Sequence, residues 1–193
     1  MTGWSTTHAG VSIEVAVRED EALAVRAAVD GRGSVSAFTW INATTLLYLQ
    51  GGDVWRLSLS STAGERLTSD GGDKSALGVS PDGRWYSWLR DGDLWLLPAS
   101  GGRPERATTL GIAPVGTVPL GTYFRNDREV GDATWGGEAP PYAWSPDART
   151  IALHVVDRRQ VRRTAFPYYL GDTASMNVLR RSFPGERNEE RTV

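Results

Sequence analysis

The chain has 193 residues, of which 40% are hydrophobic and 23% are charged, with a formal net charge of −2 and no cysteine. That near-neutral charge gives no electrostatic basis for binding nucleic acid, and the lack of cysteine excludes a disulfide framework and thiolate metal sites. The chain lacks the start of a secretory signal, and no apolar run approaches the roughly 20 residues that cross a bilayer. We therefore expect a cytoplasmic protein that needs neither cofactor nor metal.

Residues 1–36 contain no repeated pattern. Within them, residues 19–26 mix charged and apolar side chains in a way that fits one short amphipathic helix or a pair of strands. Residues 30–36 are typical of a turn-rich connection. For this N-terminal segment we predict strands that lead into the repeated structure.

Two segments, near residues 37–70 and 75–109, share one order of motifs. Each has an apolar run, a tight Gly-containing turn, an Asp-apolar-Trp run and a closing Glu-Arg-x-Thr. Asp53 and Asp93 are 40 residues apart, as are Trp55 and Trp95. That period matches the ~40–45 residues of a β-propeller blade, which has four short antiparallel strands. The repeated Asp and Trp could suggest a metal or carbohydrate site, but equivalent positions in successive blades favour a structural role.

A third segment, near residues 142–193, opens with Trp144-Ser145-Pro146-Asp147 and so repeats the earlier Ser80-Pro81-Asp82-Gly83. Proline presets φ near −65° and glycine permits positive φ, so both copies predict tight turns between strands. A β-sandwich uses similar turns, although it does not require a repeat of this period. We predict an all-β fold, a partial β-propeller of about three to four blades of four-stranded antiparallel sheets.

An insertion, residues 110–141, separates the second and third segments and does not repeat. It is rich in glycine and proline, which predicts a loop. Insertions in repeat proteins lie on one face, and that face often binds the ligand. We therefore expect the binding residues to lie in this insertion.

From about Thr39 to Val193, and most specifically from Tyr142 onward, the chain resembles the N-terminal β-propeller domain of the dipeptidyl peptidase IV branch of the prolyl oligopeptidase family. The resemblance depends on the Trp-Ser-Pro-Asp blade start at 144–147, the tyrosine-and-proline stretch at 166–169, the segment 183–188 and the final Thr192-Val193. Ala148 in place of glycine and Glu189 in place of a common proline depart from the family pattern.

This resemblance implies a serine exopeptidase that removes dipeptides from peptide N-termini, often after proline. The family's catalytic serine, aspartate and histidine lie in an α/β-hydrolase domain. No Gly-x-Ser-x-Gly nucleophile elbow occurs in this sequence, so we expect no catalytic residue here. The propeller is expected to gate access and to bind the free amino group of the peptide.

The resemblance also points to acidic residues that would bind this amino group. Glu129 matches a glutamate of the family's short acidic motif. Asp127 is the second candidate and Glu138 a further alternative, but neither aligns cleanly with the motif. Carboxylates in a partly desolvated cavity attract an ammonium more strongly than in water. The alternative reading makes Glu129 an exposed loop acid paired with Arg125 or Arg128.

Two charged segments near the C-terminus are predicted to be solvent-exposed. Arg158-Arg159 with Arg162-Arg163 is predicted to be a solvated basic turn, because the chain as a whole is acidic. Residues 186–191 are predicted to be a mixed-charge surface loop.

The expected partners follow from the incomplete ring. Closed propellers use about 4–8 blades, so a chain of 193 residues suggests a fragment or a split product. The expected partners are an α/β-hydrolase domain or partner chain, a peptide with a free N-terminus, and a second copy pairing through open blade edges. The alternative is a non-enzymatic propeller fragment that acts as a protein-interaction module.

Overall fold

The computed structural model describes residues 2–4, 15–17, 35–58, 60, 64–113, 126–131, 140–170 and 174–193. All regular structure within these ranges is β-strand. The strands are β1 (Thr2–Trp4), β2 (Val15–Val17), β3 (Val35–Asn42), β4 (Thr45–Gln50), β5 (Asp53–Ser58), β6 (Glu65–Arg66), β7 (Lys74–Val79), β8 (Trp85–Arg90), β9 (Asp93–Pro98), β10 (Glu105–Arg106), β11 (Arg128–Val130), β12 (Tyr142–Trp144), β13 (Ile151–Leu153), β14 (Val155–Asp157), β15 (Arg163–Tyr168), β16 (Ser175–Arg180) and β17 (Glu190–Thr192).

The chain forms two compact units, residues 1–90 with 95–105 and residues 91–94 with 106–193. The described residues contain no helix that is long and apolar enough to span a membrane.

The two predicted repeats are each a four-stranded antiparallel sheet, with strand orders β3-β4-β5-β6 and β10-β9-β8-β7. Both central hairpins turn on two residues with positive φ, Gly51-Gly52 in the first and Asp91-Gly92 in the second. Two successive positive φ angles are typical of the type I′ turn, whose twist matches that of the flanking strands. The tight Gly-containing turn predicted for each of the two repeats is therefore confirmed.

The first unit has its core where the two sheets face each other. Leu47, Leu49 and Val54 pack with Tyr86 and Trp88, and every one of these side chains is at most 2% exposed. Because successive side chains of a strand point to opposite faces, the other face of the first sheet carries a separate cluster. That cluster consists of Leu46, Tyr48 and Leu57.

The two Ser-Pro-Asp copies form the same turn. In each, the serine hydroxyl donates to the aspartate (Ser80 to Asp82, 2.7 Å; Ser145 to Asp147, 2.6 Å). That bond, with the Arg84 backbone N–H and side chain, lowers the pKa of Asp82 to about 2. Ala148 takes φ 58°, close to the 70° of the glycine it replaces. Alanine in this left-handed region costs about 1–2 kcal/mol, so the turn keeps its shape at that cost.

The third segment is more irregular than the first two. Its strands form a three-stranded sheet β11-β14-β17, and the pairs β12-β13 and β15-β16 are separate. β11 lies inside the range predicted as an inserted loop, yet it pairs in register with β14. Because β14 and β17 are neighbours in the sheet, the chain between them, including the β15–β16 hairpin, leaves this sheet and returns to it.

Candidate functional site

Asp93 occupies a clamp built by its own chain. Its Oδ1 accepts hydrogen bonds from Thr108 Oγ1 (2.6 Å) and from the backbone N–H groups of Leu110 (2.6 Å) and Gly111 (3.1 Å). Its Oδ2 accepts one from Arg106 Nε (3.1 Å). Burial raises the pKa of Asp93, but these hydrogen bonds outweigh burial and hold it below the ordinary value.

Asp53 has the same clamp one repeat earlier. Thr68 Oγ1 and the Gly71 N–H both donate to Oδ1 (2.9 Å each), and Arg66 pairs with Oδ2. Lys74 Nζ lies 3.7 Å from the same carboxylate. Burial again raises the pKa of Asp53, and the hydrogen bonds lower it further than burial raises it. The carboxylates of both repeated aspartates are therefore occupied by hydrogen bonds within the chain, which supports a structural role rather than a metal or carbohydrate site.

Of the two predicted site acids, Glu129 lies in strand β11 and Asp127 directly precedes that strand. The strand is fixed on one side by its register with β14, which pairs Glu129 with Val156. Two further backbone hydrogen bonds, both 2.8 Å long, hold this segment. The Asp127 N–H donates to the Ile112 carbonyl, and the Val130 N–H donates to the Gly92 carbonyl. These bonds place Asp127 and Glu129 on an ordered strand end, not on an exposed loop.

Glu129 is 9% exposed and is held at both carboxylate oxygens. Oε1 accepts a hydrogen bond from Arg158 Nη1 (2.6 Å), and Oε2 accepts one from Asn126 Nδ2 (3.2 Å). Gly92 lies against it, because a Cβ added there would come within 3.0 Å of Glu129 Cβ and of Asn126 Nδ2. The turn of the second sheet thus depends on glycine both for its positive φ and for the close approach of this glutamate.

Arg158 connects Glu129 to a second acid. Its side chain is fully buried, and its Nε donates to Glu189 Oε2 (3.1 Å). It also donates to the Asn126 carbonyl (3.3 Å). The prediction of a solvated turn is wrong for this arginine, and residue 189, where the family often has proline, supplies its second carboxylate.

Asp127 is also buried, at 4% exposure, but its carboxylate is committed to structure. Arg180 makes two parallel contacts with it, Nε to Oδ1 at 2.5 Å and Nη2 to Oδ2 at 2.7 Å. Arg163 Nη2 lies 3.4 Å from Oδ2. Such bidentate pairing is strong and directional, so Asp127 ties β11 to the β15–β16 hairpin.

The structure thus separates the two candidates. The Glu129 side chain is 12% exposed and that of Asp127 is 6% exposed. Asp127 is held by two parallel contacts from Arg180, whereas Glu129 accepts hydrogen bonds from Arg158 and Asn126. Arg128 lies 3.8 Å from Asp157 and Glu129 is buried, so Glu129 is not an exposed loop acid paired with Arg128. Arg125 and Glu138 lie outside the described residues.

The roles of Arg158, Arg180 and Glu189 around the two site acids were not predicted from the sequence. Their partners are 29 to 53 residues away along the chain, and no local motif marks such pairs. The one available signal is the departure at residue 189 from the pattern of the family it resembles. Among the described residues, no group of three histidine, aspartate or glutamate side chains is arranged to hold a metal ion.

Comparison with known proteins places the chain in a family. The model of the family described as the dipeptidyl peptidase IV (DPP IV) N-terminal region matches residues 48–192. The crystal structure of Porphyromonas gingivalis dipeptidyl peptidase 4 superimposes with a TM-score of 0.57 at 17% identity, over 81% of this chain and 21% of that one. The fold is therefore an all-β partial propeller, as predicted, and the chain spans about a fifth of that relative's length. The chain belongs to the family of dipeptidyl peptidase IV N-terminal regions.

Proposed function

We propose that this chain is the propeller part of a dipeptidyl peptidase IV-like serine exopeptidase, in which it gates access and binds the free amino group of the peptide. Membership of the family supports the coarse assignment. The observation that carries the finer one is the Glu129 carboxylate, fixed on β11 and almost removed from water. The catalytic serine, aspartate and histidine would come from an α/β-hydrolase domain or partner chain.

The environment of Glu129 suits it to this role. A carboxylate with little solvent around it attracts an ammonium more strongly than one in water. Burying that charge alone would be costly, and Arg158 and Asn126 offset the cost while fixing the direction of both oxygens. A preorganised acceptor loses little conformational entropy when the peptide binds.

The change Glu129→Gln in the full-length enzyme tests this proposal. We expect kcat/KM for a dipeptide p-nitroanilide with a free amine to fall about 10- to 100-fold, since a hydrogen bond to a charged group contributes about 1.5–3 kcal/mol. The N-acetylated substrate, which has no ammonium, should be affected far less. Steady-state kinetics on both substrates measures the difference.

Glu105→Gln is the matched control, because Glu105 is exposed on the two-residue strand β10. It should leave both rates unchanged. Equal kcat and KM for Glu129→Gln and the unmodified enzyme would remove Glu129 from the binding site.

A second candidate function, a protein-interaction module that self-associates, is favoured by one surface. Phe38 and Trp40 are 66% and 45% exposed on β3, the first strand of its sheet. They share one face of the strand because their positions differ by two. Exposed aromatic residues on an edge strand are a recognised site of association, and the proposed occupant is the same face of a second copy.

The double change Phe38→Ser with Trp40→Ser tests this surface. We expect the unmodified chain to show a concentration-dependent rise in mass by light scattering, and the double variant to remain a monomer up to at least a tenfold higher concentration. Tyr169→Ser, at a side chain that is 73% exposed elsewhere, is the control. A monomeric unmodified chain, or loss of association in the Tyr169 variant instead, would contradict the proposal.

A further inference from the structure

A cleft of about 430 Å³ lies beside the end of strand β16 in the second unit. Its walls come from Val161, from the end of β16 with the residues that follow, and from residues 188–191, which run into β17. The polar side chains lining it are Arg180, Arg181, Ser182, Asn188, Glu189 and Arg191. We call it the arginine cleft. Its volume falls within the ~300–1,000 Å³ of small-ligand sites.

The charges around the arginine cleft do not balance. Arg180 is paired with Asp127, and Arg191 is paired with Glu189, which also accepts a hydrogen bond from Arg158. Within the part of the chain that the structure describes, Arg181 forms no ion pair. The lining therefore has three arginines and a single acid that two arginines already share, so an anion is favoured there over a cation.

Arg181 is held in place without a carboxylate. Its guanidinium lies over the ring of Phe166, 5.7 Å from the centroid, and its backbone N–H donates to the Arg162 carbonyl (3.1 Å). Stacking on an aromatic ring orients the guanidinium plane and leaves its edge N–H groups for an acceptor. This planar edge matches the two oxygens of a carboxylate.

Asn188 adds a second donor to the arginine cleft. Its Oδ1 is bound by the hydroxyl of Ser182, so the amide NH₂ is the group that remains for a ligand. An amide NH₂ offers two donors and no acceptor. Arg181 and Asn188 both line the arginine cleft, and both side chains carry hydrogen-bond donors.

We infer that the arginine cleft binds a peptide carboxylate, with Arg181 as the bidentate partner and Asn188 as a second donor. This site is separate from Glu129 in chemistry, because one binds an anion and the other a cation. Either an acidic side chain or a C-terminal carboxylate fits the same two donors, and the choice of peptides in the experiment distinguishes them.

The test is isothermal titration of the full chain with three acetylated tripeptides, none of which has the free amine that Glu129 would bind. Acetyl-Ala-Glu-Ala-amide offers only a side-chain carboxylate, acetyl-Ala-Ala-Ala with a free C-terminus offers only a main-chain one, and acetyl-Ala-Gln-Ala-amide offers neither. We expect at least one of the first two to bind about tenfold more tightly than the third. The Arg181→Gln change should abolish that difference.

Two further variants keep the result interpretable. Arg181→Lys keeps the charge but lacks the planar fork, so it should recover only part of the affinity. Arg103→Gln removes an exposed arginine of the first unit and should change nothing. Because Arg181 is exposed, its variants should unfold at the same temperature as the unmodified chain, which excludes misfolding as the cause of lost binding.

Three results would overturn the inference. The first is equal affinity for the glutamine peptide and both carboxylate peptides. The second is equal loss of affinity in Arg103→Gln and Arg181→Gln, which would show nonspecific attraction by net charge. The third is binding of inorganic phosphate in the absence of any carboxylate peptide binding, which would assign the cleft to a different anion.

Discussion

Replacing Asp93 with alanine is expected to lower the free energy of unfolding by about 3 kcal/mol. The side chain is fully buried and accepts hydrogen bonds from Thr108, Leu110 and Gly111. Its removal leaves these donors without their acceptor, and each buried unsatisfied group costs about 1–3 kcal/mol. The Arg106 side chain is 44% exposed, so water can solvate it once Asp93 is gone. The expected loss of stability therefore stays near the lower end of the ~3–5 kcal/mol that breaking a buried ion pair costs.

Urea unfolding followed by tryptophan fluorescence measures this change. The midpoint should shift while the slope stays constant, since the surface exposed on unfolding is unchanged. Asp73→Ala, at an exposed aspartate between the first two sheets, should stay within about 0.5 kcal/mol of the unmodified chain. A shift for Asp93→Ala no larger than for Asp73→Ala would show that the clamp contributes nothing.

The pKa of Asp93 gives the same prediction a pH dependence. Its folded pKa lies below the ordinary value, so the stability it supplies is fully present above the unfolded pKa of about 3.9. That stability is lost as pH falls from there through the folded pKa. Asp93→Asn should therefore lose less stability than the unmodified chain as the pH falls below about 4.

The repeated part of the fold could be predicted because its determinants are local. The Gly51-Gly52 and Asp91-Gly92 turns specify hairpins within a few residues, and the spacing of Asp53 and Asp93 marks the repeat directly. The clamp itself combines residues only 13 to 18 positions apart. Short-range signals of this kind survive in the sequence without any knowledge of the third dimension.

The site could not be predicted in the same way. The place of Glu129 depends on the register of a three-residue strand, β11, against β14, and a strand this short inside a glycine-rich stretch has no periodic signal. Arg158 looks like any arginine in a basic turn. Arg158 becomes buried only when β11, β14 and β17 form their sheet. That sheet brings it together with Glu129, which precedes it in the sequence, and Glu189, which follows it.

Arg158→Met is expected to lower the free energy of unfolding by about 3–5 kcal/mol. Methionine fills similar space, so the change removes the charge without opening a large cavity. It removes the guanidinium that both Glu129 and Glu189 contact, and breaking a buried pair by removing one partner is strongly destabilising. Arg159→Met, at an adjacent arginine whose side chain is 51% exposed, should change stability by less than about 1 kcal/mol.

A double-mutant cycle separates the Arg158–Glu129 contact from general loss of packing. If the 2.6 Å pair carries the effect, Glu129→Gln in the Arg158→Met background should be neutral or stabilising, because it removes the charge left behind. The coupling free energy should then be about 1–3 kcal/mol. Purely additive losses would assign the effect to packing of the arginine side chain, and Glu129 would then need no buried counter-charge to remain on β11.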